Sequence, residues 1–227
     1  MPDSPLPIWN TVESYLNSHL IPVDPVLDAA LADATVAGLP PISVTAAEGR
    51  FLNLLVRMRG ARRILEIGTL GGYSTIWMAR ALPADGILVT LEISDHHASV
   101  ARRNIERAKL TARVDVRVAP ALESLAALQA EGGDCFDLVF IDADKENSTS
   151  YFEAALQLTK RGSVIIVDNV VRDGEVVNEE STSTSAQGIR QLLEMLRSEG
   201  RVEATALQTV GSKGYDGFLL SVVKLDR

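Results

Sequence analysis

From residue 62 onward, short runs of apolar residues alternate with stretches whose apolar positions recur at helical spacing. The apolar runs fall at 63–67, 87–93, 114–118, 136–141 and 163–167, and they are rich in Ile, Val and Leu. Between them the spacing predicts helices over 74–82, from about 95 to 109, from 120 to about 128, and from about 148 to 159. Ser94 or Asp95 can cap the second of these, Pro120 suits the first turn of the third, and Gly162 reads as the stop after the fourth.

Strands that are apolar on both faces and separated by helices imply a parallel sheet covered on both sides. Right-handed crossovers then make the fold class α/β, a doubly wound Rossmann-like sandwich. The C-terminal part breaks the alternation. Runs at 202–210 and 217–223 are joined only by Gly211-Ser212-Lys213-Gly214-Tyr215-Asp216, which reads as an antiparallel hairpin at the sheet edge. The first 60 residues read as helices over 9–20, 25–37 and 45–58, divided by Pro22, Pro25 and Pro40-Pro41. One domain over 1–227 is expected, with 1–60 a helical cover and 61–227 the α/β core. The Ser/Thr run at 181–185 reads as a mobile loop.

Composition narrows the function. With 46% hydrophobic residues the chain can bury a large core, and its single cysteine, Cys135, excludes an internal disulfide framework and a Cys-rich zinc site. A net charge of −8 argues against broad binding to nucleic acid or an anionic membrane. No basic-then-apolar leader and no run near the ~18 apolar residues of a membrane span is present, so a cytoplasmic protein is expected.

In open α/β sheets ligands bind at the carboxyl ends of the parallel strands, and here those ends carry distinctive residues. The first ends in Gly68-Thr69-Leu70-Gly71-Gly72, whose glycines let the backbone approach a ligand. The dinucleotide pattern needs glycine where Leu70 stands, which weakens a nucleotide-dependent oxidoreductase, the main alternative. The second ends in Glu92, 24 residues after Gly68, placed to accept hydrogen bonds from ribose hydroxyls. The fourth and fifth, adjacent in this topology, end in Asp142 and in Asp168-Asn169. Two carboxylates and an amide oxygen form a hard donor set for a divalent cation: Mg²⁺, Ca²⁺ or Mn²⁺. Lys145 lies beside that set, where a cation and partial desolvation would lower its pKa and suit it to act as a base. His19, His96 and His97 show no ligand spacing.

Taken together, Leu65-Glu66-Ile67-Gly68-Thr69-Leu70-Gly71-Gly72-Tyr73-Ser74-Thr75, the stretch 136–147, Val167-Asp168-Asn169 and 214–219 resemble the cation-dependent class I S-adenosylmethionine O-methyltransferases, bacterial members above all. That family includes catechol and caffeoyl-CoA O-methyltransferases, and the match runs from about residue 42 to the final hairpin. The resemblance implies a seven-stranded sheet with the last strand antiparallel. It implies that Glu66, Gly68, Thr69 and Ser74 line the S-adenosylmethionine site, with Glu92 on the ribose, Ala121 on the adenine and Val44 on the methionine part. It implies that Asp142, Asp168 and Asn169 hold a divalent cation, with Asp142 also near the cofactor, and that Asp142 and Lys145 form the catalytic pair. Homodimers and a small-molecule hydroxyl acceptor are implied as well. A diol chelating the cation would lose a proton to Lys145 or water and attack the sulfonium methyl in line. Arg172-Asp173-Gly174 stands where the plant caffeoyl-CoA enzymes have Trp-Asn-Gly, which favours a small catechol or other vicinal-oxygen acceptor. A polyketide, antibiotic or carrier-bound acceptor is the alternative.

Overall fold

A computed structural model describes residues 8–224. Seven strands form one sheet: β1 (Arg63–Ile67), β2 (Ile87–Glu92), β3 (Arg113–Val118), β4 (Phe136–Ile141), β5 (Thr159–Asp168), β6 (Val202–Gly211) and β7 (Gly214–Val223). Their order is β3-β2-β1-β4-β5-β7-β6, with β1 to β5 parallel and β7 antiparallel to both of its neighbours. The order reverses between β1 and β4, and in sheets of this topology ligands bind in the crevice outside the carboxyl ends of the strands at that point.

Alternation along the strands divides the core between the two faces. Ile64, Leu88, Leu138, Phe140 and Ile166 face α3 (Ala46–Arg59) and α4 (Tyr73–Ala79), meeting Leu52, Val56, Ile76 and Trp77. Leu65, Ile67, Val139, Ile141 and Val167 face α6 (Ala121–Glu131), α7 (Ser148–Gln157) and α8 (Thr184–Ser198), meeting Leu125, Phe152, Ile189 and Leu192. α5 (Asp95–Arg107) packs against α2 (Pro25–Val36), β2 and β3. Among the described N-terminal residues, α1 (Ile8–Leu20), the connection from α2 to α3 and the first turns of α3 line the crevice, while α2 packs against α4 and α5. α3 begins with a full capping box: Thr45 N–H donates to Glu48 Oε2 at 2.6 Å and Glu48 N–H to Thr45 Oγ1 at 3.2 Å. No helix among the described residues is long and apolar enough to cross a membrane.

Several sequence expectations shift. α4 ends at Ala79 rather than at 82, because Pro83 disfavours helix at Leu82 and the Arg80 side chain turns away to pair with Asp24. Gly162 does not end a helix. It lies inside β5 at φ +84°, at a break in register between Phe136 and Leu138 where Ser163 Oγ donates to the Phe136 carbonyl. Pro120 precedes α6 as its N-cap. The six-residue hairpin connection shrinks to Ser212-Lys213, with Tyr215 and Asp216 already inside β7. The sequence reading did not contain α8; the Ser/Thr run taken as loop supplies its N-cap, Ser183, whose Oγ accepts the Ala186 N–H.

Candidate active site

The carboxyl ends of β1, β2, β4 and β5 open on one cavity of about 1080 Å³. Gly68 leaves β1 at φ +102°, and a Cβ there would stand 2.1 Å from the Asp142 carbonyl oxygen. Only glycine lets the ends of β1 and β4 approach so closely. Leu70, at the position where the dinucleotide pattern has glycine, adopts a left-handed φ of +49°. Its N–H donates to Glu92 Oε2 at 2.8 Å, while Ile93 and Ser94 N–H groups donate to Oε1 at 3.0 and 2.9 Å. Three backbone donors therefore fix the Glu92 carboxylate at the cavity wall. His97, set aside on sequence, lines the same wall with Nδ1 3.5 Å from Glu92 Oε1.

Glu66 lies one layer behind that wall and is fully buried. Ser74 Oγ, which lines the cavity, donates to Glu66 Oε1 at 2.6 Å, and Thr75 Oγ1 donates to Oε2. Burial outweighs these hydroxyl bonds and pushes the carboxyl up to about 7. Val44, from the connection before α3, and Ala121, the first residue of α6, also line the cavity, as do Gly68 and Thr69.

At the other end Lys145, buried at the start of a single 3₁₀ turn, places Nζ 2.9 Å from Asp142 Oδ1. The Asp168 carboxyl accepts the Asn169 N–H at 2.8 Å, and Asn169 turns out of β5 at φ +56°. Burial first, then the charge of Asp142, pushes Asp168 up to about 8, although Lys145 opposes the rise. One ammonium thus faces two carboxylates in a poorly solvated place. That deficit of positive charge, with two carboxylates and an amide as donors, fits a hard divalent cation. Among the described residues no three His, Cys, Asp or Glu side chains gather as a metal cage. Asp142, Lys145 and Asn169 line the cavity; Asp168 stands just behind it.

Two further residues escaped the sequence reading. Tyr151 and Asp144 line the cavity, the Tyr151 hydroxyl donating to Asp144 Oδ1 at 2.5 Å. Their separation of seven residues in the chain carries no motif. An apolar part of the lining is Trp9, Val12, Leu16 and Leu20 from α1, and Phe51 of α3 against Phe218 of β7, with ring centroids 4.9 Å apart; Glu13, Arg50, Arg172 and Lys213 are polar members of the same wall. Phe218 is the cross-strand partner of Asp168, so this aromatic pair adjoins the carboxylate end.

Residues 23–221 match the O-methyltransferase family. The chain belongs to that family. Among curated O-methyltransferases, a catechol O-methyltransferase of Niastella koreensis is 48% identical over 96% of this chain and 98% of its own. A catechol O-methyltransferase of Mycobacterium tuberculosis is 50% identical over 94% of this chain and 95% of its own. A Bacillus cereus O-methyltransferase, solved in complex with SAH, superposes with a TM-score of 0.94 at 54% identity, covering 96% and 99% of the two chains. The resemblance read from the strand ends is thereby borne out at the level of family, fold and reaction class, and the oxidoreductase alternative falls away.

Proposed function

We propose that the chain transfers a methyl group from S-adenosylmethionine to one hydroxyl of a small aromatic vicinal diol, assisted by a divalent cation. One observation carries this reading. A single cavity joins a wall bearing Gly68, Ser74 and Glu92 to an end bearing Asp142, Lys145 and Asn169, so a nucleoside and a diol can lie in it together. The catechol O-methyltransferase relatives support the same acceptor class.

S-adenosylmethionine supplies an electrophilic methyl, and a divalent cation held by Asp142, Asp168 and Asn169 would lower the pKa of a neighbouring acceptor hydroxyl. The chain's own contribution is placement. Glu92 orients the ribose, its carboxylate already immobilised by three N–H groups. Val44 and Ala121 flank the methionine and adenine parts. Lys145, held on Asp142, would take the acceptor's proton at Nζ after its ammonium has given up one proton to solvent. Phe51 and Phe218 offer the acceptor ring an apolar face, and α1 shields the site from water. Self-association belongs to the same proposal: α1 buries none of its residues, and Ile8 and Tyr15, outside the cavity lining, are 72% and 64% exposed, an apolar surface that a second copy can cover. Light scattering on the purified protein tests it.

The deciding assay is methyl transfer to catechol with Mg²⁺, after chelation, and with Asp168→Ala. Both losses of the cation should abolish turnover. Full activity after exhaustive chelation would refute the role assigned to the two aspartates.

A further inference from the structure

Granted that reading, we infer that the acceptor diol carries an anionic substituent, a carboxylate on or near its ring, and that Arg172 and Arg50 select for it. Both arginines line the cavity, together with the apolar Phe51 and Phe218 and with several carboxylates, Glu13, Glu48 and Asp216 among them.

Arg172 lies on the turn after β5, three residues beyond Asn169, at φ +56°, with Asp173 next at φ +53°. Left-handed conformations at non-glycine residues are strained and persist where the surroundings over-determine them. The anchor here is Asp216: its Oδ1 accepts the N–H groups of Val171, Arg172 and Gly217 at 3.0, 3.0 and 2.9 Å. Those bonds fix the Arg172 backbone and occupy much of the carboxylate that might have neutralised its side chain. Arg172 Nη1 stays 3.8 Å from Asp216 Oδ2, beyond a hydrogen bond. Its Nε is buried and has no hydrogen-bond partner. The guanidinium is thus short of partners on its buried side, while the side chain stays 36% accessible, and its open Nη edge can take an incoming carboxylate.

Arg50 stands on α3, next to Phe51, and makes no ion pair among the described residues. Other acids line the same cavity, but Asp142 is paired with Lys145, Asp144 accepts the Tyr151 hydroxyl and Asp216 is taken up by backbone N–H groups. Glu13 is engaged by Ser212 N–H and Glu48 by Thr45 N–H, while Asp173 is exposed at the rim. Two incompletely paired guanidinium groups beside an aromatic slot form a receptor for a ring that is neutral at its diol edge and negative elsewhere.

The experiment compares kcat/KM for 3,4-dihydroxybenzoate, its methyl ester and 3,4-dihydroxybenzylamine at pH 8, in the wild type, Arg172→Gln, Arg50→Gln and Arg172→Lys. The acid should exceed the ester by about tenfold or more, carried in KM, with the amine poorest. Each glutamine variant should lower the acid-to-ester ratio about tenfold, and Arg172→Lys should restore part of it. Methylation of all three diols without charge preference, or ratios unchanged in both glutamine variants, would overturn the inference while leaving the methyltransferase reading intact. No transfer to any of the three would overturn that reading, and this one with it.

Discussion

Glu66 is a carboxyl with no cation in contact, sealed beneath Ser74 and Thr75, and its protonation can be read out through stability. Its pKa moves from 4.5 to about 7 because burial penalises the charged form more than the hydroxyls favour it. A pKa raised in the folded state means that folding binds the proton more tightly. The stabilisation is complete below pH 4.5 and is lost as pH rises through about 7. The full difference is about 3 kcal/mol at about 1.4 kcal/mol per pH unit, most of it spent between pH 5 and 8. Asp168, raised to about 8, contributes a slope of the same sign, so wild type alone cannot isolate Glu66. Glu66→Gln can: the amide is nearly isosteric, keeps partners in Ser74 and Thr75, and does not titrate. Urea unfolding of both proteins without ligand, from pH 5 to pH 8, should show the wild type losing about 2–3 kcal/mol relative to Glu66→Gln. For a chain of this size that is roughly a 5–10 °C relative fall in Tm. Curves that stay parallel would refute the reasoning, since they would mean that the carboxyl is either solvated or permanently neutral. Calorimetric titration adds a second arm. If the ionised carboxylate receives the cationic end of S-adenosylmethionine through Ser74, wild-type affinity should weaken by up to about tenfold per unit as pH falls below 7, and Glu66→Gln should lose that slope.

Two further outcomes follow from the other end of the cavity. Lys145→Ala should reduce kcat by about 10²- to 10⁴-fold, the usual worth of a positioned proton acceptor, while the S-adenosylmethionine Kd changes little; an unchanged kcat under saturating substrates would remove the lysine from the chemistry. Gly188 of α8 lies where a Cβ would come within 2.2 Å of the Lys145 carbonyl oxygen and 2.7 Å of Glu146 Cα, so Gly188→Ala must push the Lys145 turn away. Steady-state kinetics should show a kcat loss of at least about tenfold with cofactor binding retained, and equal kcat in a folded variant would show that the turn adapts.

The strand-end part of the site was legible in the sequence because it is built from local signals. Gly68, Glu92, Asp142 and Asp168 sit at or just beyond strand ends, and the alternation of apolar runs and helices locates strand ends to within a residue or two. Parallel pairing of β1 with β4 and of β4 with β5 then brings residues 74 and 100 positions apart to one edge. Pairings that no local pattern encodes were not legible. Gly188 packs on a turn 43 positions earlier, Phe51 meets Phe218, and Lys213 Nζ at the hairpin tip donates to the Ser43 carbonyl at 2.9 Å. α8 was missed for a related reason: a Ser/Thr run is equally compatible with a loop and with a cap, and only packing of Ile189 and Leu192 on the sheet decides between them.

The same division separates what this fold holds constant from what it leaves free. At the donor end, function and backbone are one object: replacing Gly68 would drive a side chain into the end of β4, and Glu92 is held by the backbone that it positions. At the acceptor end the wall is made of side chains borrowed from α1, α3, the turn after β5 and the β6–β7 hairpin. These are tied together by a few contacts such as Glu13 with Ser212 and Lys213 with Ile42 and Ser43. Exchanging Arg172 or Arg50 alters no strand pairing and breaks no helix. Charge at the acceptor end can therefore be changed at small cost to folding, and selectivity among diols can vary in this architecture while the methyl-donor wall stays fixed.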